Sequence, residues 1–80
     1  MLTYAMKLAD RYDGMLIATI PDVPEAMGMG RDYEEACEQA KDALEATLAS
    51  YAAEGRPFPT ARASGSLTVS TDKFEFLPTA

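Results

Sequence analysis

Asp10, Asp22 and Glu35 are the residues of this chain whose type could serve catalysis. Carboxylates that converge on two divalent ions activate water for phosphodiester cleavage. Each of the three also has a local structural reason to be where it is. Asp10 ends a strand beside a turn, and Asp22 sits in a proline-flanked corner where an Asx-turn accounts for it. Glu35 lies three residues after Asp32, in the spacing of a capping box. The single cysteine, Cys37, has no histidine anywhere in the chain to activate it, so a cysteine–histidine nucleophile is excluded. It falls on the apolar side of a helical stretch, where a cysteine acts as a small buried hydrophobe. The expectation is a protein without catalytic residues, metal or cofactor.

A second group of carboxylates suits recognition better than catalysis. Glu34, Glu38, Asp42 and Glu45, with Lys41, share one side of the same helical stretch. A solvated face explains them; so does a surface complementary to a cationic partner, where such charges speed encounter and set orientation. The formal net charge is −6. Affinity for nucleic acid rests on Lys and Arg neutralising phosphates, so the expectation is no nucleic-acid binding by this domain alone. One cysteine permits no internal disulfide. No apolar run reaches membrane-spanning length and the N-terminus lacks a signal-peptide pattern, so the location read from the sequence is cytoplasmic, away from membranes.

The elements that position these groups follow from periodicity. Leu2, Tyr4, Met6 and Leu8 alternate with Thr3, Ala5, Lys7 and Ala9, the pattern of a strand with one buried face. Asp13-Gly14 suits a type I′ hairpin turn. Met15 to Ile20 resumes as a second strand, which Pro21 and Pro24 end. Ala26 to Gly30 forms a third short strand. Asp32 caps a helix whose apolar stripe comprises Tyr33, Ala36, Cys37, Ala40, Leu44, Leu48 and Tyr51. Gly55 ends it, after about six turns or roughly 30 Å. Arg56-Pro57-Phe58-Pro59 then runs extended, Leu67 to Thr71 is β-prone, and Lys73 to Leu77 reads as a further strand or as a continuation of that strand after Thr71-Asp72. The order β-β-β-α-β predicts an α+β domain spanning residues 1–80: an antiparallel-led sheet of three to four strands with one long helix packed on it.

Binding residues favour element ends, which selects Tyr12, Asp13 and the corner residues Asp22, Val23 and Glu25. Met27 and Met29 alternate with glycines. They fit a strand with one face in the core, or a contact strand whose adaptable methionines meet a partner. Phe58, Phe74 and Phe76 either seal the core or form an oligomer interface.

Taken in order, these motifs resemble the HicB antitoxin family. The matching residues are Asp13-Gly14, Ile20-Pro21-Asp22-Val23-Pro24-Glu25-Ala26, Gly30-x-Asp32-x-x-Glu35-Ala36, Ala40-Lys41-Asp42-Ala43-Leu44 and Gly55-Arg56-Pro57-Phe58-Pro59. Asp32 stands where the family usually has Thr, and Asp caps a helix equally well. The resemblance implies a partial RNase H-like fold and a role in binding and masking HicA, a small mRNA-cleaving toxin that uses a histidine. The element-end, contact-strand and acidic-face residues named above, Tyr12, Asp13, Asp22, Val23, Glu25, Met27, Met29, Glu34 and Glu38, are then the expected toxin contacts, and a homodimer or larger assembly through strand edges or the C-terminal segment is expected. Many members add a C-terminal DNA-binding domain. This chain reaches Ala80 about where that domain would begin, so the expectation is that this sequence does not include it. A stand-alone oligomerisation or small-ligand module without a toxin is the alternative.

Overall fold

The computed structural model describes residues 2–11, 13–65 and 67–71. The alternating N-terminal stretch forms two strands, β1 (Leu2–Ala5) and β2 (Lys7–Asp10), where one was expected. The alternation of burial is interrupted at the break: Tyr4, Ala5 and Met6 are all buried, while Thr3, Lys7 and Ala9 are exposed. What changes at Met6 is the partner. β1 pairs antiparallel with β5 (Thr68–Thr71), placing Leu2 opposite Thr71, and the Met6 N–H extends that ladder by donating to the Leu67 carbonyl at 3.0 Å. β2 pairs antiparallel with β3 (Leu16–Thr19), and β3 with β4 (Met27–Gly30). The fold is α+β as expected. Its sheets are ordered β1-β5 and β2-β3-β4, with the helix α1 (Tyr33–Ala53) following β4.

The β2–β3 turn differs from the type I′ expectation. Gly14 has φ 83° but Asp13 stays at negative φ. The Gly14 N–H donates to the Arg11 carbonyl at 3.1 Å, and the Arg11 N–H donates to the Met15 carbonyl at 2.8 Å. This is a three-residue loop with its glycine in the left-handed region, the next most common hairpin solution. Asp13 contributes through its side chain, whose Oδ1 accepts the Met15 N–H at 3.2 Å.

Two turns in succession carry the chain from β3 to β4. The Val23 N–H donates to the Ile20 carbonyl and the Ala26 N–H to the Val23 carbonyl, both at 2.9 Å. Pro21 and Pro24 each take the second position of a turn, where their fixed φ is already correct. Between the turns Val23 drops into the core with no exposed surface.

At the start of α1 the Asp32 Oδ1 accepts the Glu35 N–H at 2.9 Å. Glu35 reaches back, one residue further than in the usual box, to accept the Arg31 N–H at 2.9 Å. At the other end the Gly55 N–H bonds the Ala52 carbonyl and the Arg56 N–H bonds the Tyr51 carbonyl, a Schellman motif with Gly55 at φ 69°. Ala36, Ala40, Leu44 and Leu48 form the buried line of the helix. Burying each leucine contributes about 1.5–3 kcal/mol. Tyr33, expected on that stripe, is instead exposed. The core closes with Tyr4, Met6, Ala18, Ile20, Val23, Ala26, Phe58 and Val69. Phe58 is therefore a core residue, which removes it from the expected oligomer interface. Phe74 and Phe76, the strand expected over Lys73 to Leu77, and Tyr12 lie outside the described residues.

Candidate functional site

β4 divides its residues sharply. Gly28 and Gly30 face α1 and are buried, while Met27 and Met29 face away and are 53% and 42% exposed. The methionines are therefore not the core face of the strand. A Cβ at Gly28 would lie 2.6 Å from the Gln39 carbonyl carbon, and one at Gly30 would lie 2.7 Å from that of Glu35. The glycines let the helix backbone rest directly on the strand. On the outer face Met29 lies opposite Ile17 and Met27 opposite Thr19. The Arg11 guanidinium lies against the Met29 sulfur and pairs with Asp13 at 3.3 Å.

The proline corner is held by bonds that no local pattern announces. The Asp22 Oδ2 accepts two backbone N–H groups from the segment after the helix, Arg62 at 2.9 Å and Ala63 at 2.8 Å. The Tyr4 hydroxyl donates to the Pro59 carbonyl at 2.8 Å in the same region. Burial, followed by the charge of Asp22, raises the Tyr4 pKa above its ordinary value. The Tyr51 hydroxyl donates to Glu25 at 2.7 Å, which lowers the Glu25 pKa and raises that of Tyr51. Arg56 stacks 3.9 Å above the Tyr51 ring and pairs with Glu54 at 2.6 Å.

Several expected contact residues are thus occupied inside the fold. Val23 is fully buried, so it offers no surface to a partner. Asp22 binds backbone and does not make the expected Asx-turn. Glu25 stays at the surface but is engaged by Tyr51. The acidic side of α1 also splits. Glu34, Glu38 and Asp42 are exposed, whereas Glu45 is half-buried and accepts the Thr71 hydroxyl at 2.7 Å. Glu25 sits by Tyr51 near the C-terminal end of α1, and Glu38 lies thirteen residues earlier on the helix, roughly 20 Å along its axis. The corner and the exposed acids are therefore separate surfaces. Asp10, Asp22 and Glu35 do not converge: among the described residues no three His, Cys, Asp or Glu side chains are grouped so as to hold a metal ion.

A shallow groove of about 290 Å³ runs between the N-terminal half of α1 and β5. Met6, Cys37 and Val69 line it, with Tyr33, Glu38 and Lys41 on the helix side. Sequence reasoning missed it, because its two walls are brought together only when β5 pairs with β1.

The sequence model of the family described as "HicB_like antitoxin of bacterial toxin-antitoxin system" matches residues 3–71. The chain belongs to this HicB-like antitoxin family. The matched span takes in both sheets, the helix and the proline corner. The antitoxin's fold is similar to the crystal structure of the N-terminal domain of the Burkholderia pseudomallei antitoxin HicB. The TM-score is 0.62 at 15% identity, over 96% of this chain and 84% of that one. No curated protein matches the chain. No helix among the described residues is long and apolar enough to cross a membrane.

Proposed function

We propose that this antitoxin acts by binding and masking a HicA-type mRNA-cleaving toxin, without catalysis of its own. Membership of the HicB-like family over residues 3–71 is the observation that carries the reading. The exposed carboxylates Glu34, Glu38 and Asp42 support it, since they offer a surface of the sign that a cationic RNA-binding protein requires. Met27 and Met29, on a strand paired along only one edge among the described residues, are proposed for self-association. Co-expression with the toxin tests the function. Restored growth and a co-purifying complex whose association weakens with salt are expected. Neither rescue nor complex would overturn the proposal, and association indifferent to salt would remove the role of the acidic surface. The double variant Glu34→Lys, Glu38→Lys is expected to slow association.

A further inference from the structure

We propose that the groove between α1 and β5 receives an apolar side chain of the toxin, one flanked on the toxin by Lys or Arg. The proposal rests on the antitoxin reading above and names where that contact is anchored.

Three observations meet at the groove. The first is its shape and chemistry. At about 290 Å³ it can admit one large side chain, and Met6, Cys37 and Val69 supply apolar lining, with Met6 and Val69 buried. A soft methionine and cysteine lining adapts to the outline of an inserted residue. Its walls are a helix capped at both ends and a paired strand, so the opening is held before binding.

The second is Tyr33. It is 54% exposed, the most exposed of the large apolar side chains described, and it stands beside the groove. The fold gives it no reason to be large: Asp32 and Glu35 make the cap without it. An aromatic ring next to a pre-formed apolar groove is the usual composition of a binding hot spot.

The third is charge. Glu38 lines the groove, and Glu34 lies one turn before it on the same helix. Lys41 is the one cation in the lining. Glu45, one turn beyond it, accepts the Thr71 hydroxyl on β5. With Glu34, Glu38 and Glu45 against Lys41, this side of α1 is net negative. The groove is therefore continuous with the acidic surface. Cationic residues attracted by those carboxylates arrive within one helical turn of an apolar slot. An apolar residue between cations satisfies both features, whereas an acidic or purely polar segment satisfies neither.

Cys37 supplies a reporter, because it is the only thiol in the chain and is half-buried in the groove lining. The experiment uses the full chain and an inactive form of the toxin, with complex formation read by size-exclusion chromatography. Alkylation of Cys37 by iodoacetamide is then timed with and without toxin. At least tenfold slower alkylation in the complex is expected. Tyr33→Ala is expected to raise the toxin Kd at least tenfold while leaving the urea midpoint unchanged, since the side chain is exposed. If the complex forms but Cys37 reacts at the free rate and Tyr33→Ala binds normally, the groove proposal is overturned and the antitoxin reading stands. If no complex forms, the antitoxin reading itself fails.

Discussion

The inward and outward faces of β4 are built from the same four-residue run and obey opposite rules. Inward, Gly28 and Gly30 keep the strand bare so that the backbone of α1 can rest on it. Outward, Met27 and Met29 place large flexible side chains on a surface that the fold does not cover. The difference separates two kinds of constraint. A position is intolerant when backbone stands where a side chain would go, and tolerant when only solvent or a partner does.

The strongest way to break this comparison is to add one methyl group to the inner face. Gly28→Ala or Gly30→Ala drives a Cβ into helix backbone, and each should cost about 3 kcal/mol or more, at or beyond the upper end of overpacking penalties. Urea unfolding followed by circular dichroism checks it. A loss below about 1 kcal/mol would mean that the helix lifts off the strand freely.

The next effect belongs to the corner that leads into β4. Asp22→Ala leaves the Arg62 and Ala63 N–H groups without their acceptor, and a loss of about 1–3 kcal/mol is expected. Asp22→Asn should retain part of it. Amide hydrogen exchange at Arg62 and Ala63 should accelerate in the alanine variant and report the release of that segment.

A smaller, pH-dependent effect is expected at Glu25 and Tyr51. Glu25 is held below its usual pKa by the Tyr51 hydroxyl, so its contribution is present above the ordinary glutamate range and is lost as pH falls through the depressed value. Tyr51 is raised, so its share is present below the ordinary tyrosine value and is lost as pH rises through the raised one. The stability difference between the native chain and Tyr51→Phe should therefore be largest between those limits and shrink at both extremes. Denaturation midpoints measured across pH decide this, and a pH-independent difference would contradict it.

Smallest of all should be the outer face. Met27→Ala and Met29→Ala are each expected to change stability by no more than about 0.5 kcal/mol. If they instead lower the apparent mass in light scattering, the outward methionines belong to self-association. If neither mass nor stability moves, the face is merely solvated.

Much of this was legible in the chain. Asp32 and Glu35, Gly55 and the Ala36–Leu48 line announce the helix and both its ends, because caps and amphipathic stripes are local. Pro21 and Pro24 announce the corner for the same reason. Three errors concern which surfaces the folded chain covers. Val23 looked like a corner tip and is core, because two turns in succession fold it inward. Tyr33 had helical spacing and is exposed: it is the first residue of the helix and stands at the rim of the groove beside β5. Glu45 looked solvated until β5 brought Thr71 to it. The break at Met6 was illegible because the residue types alternate straight through it, and only the pairing of β1 with β5 and of β2 with β3 shows that the chain changes partner.

The sequence by itself determined the α+β class, the helix with its caps, the two proline turns and the family, since each depends on residues within a few positions of one another or on their order. Only the tertiary structure decided that Asp22 holds the segment 40 residues later, that Glu25 meets Tyr51, and that a groove lies beside Cys37. Those features arise when distant segments close on one another, and closure is set by the packing of the whole core.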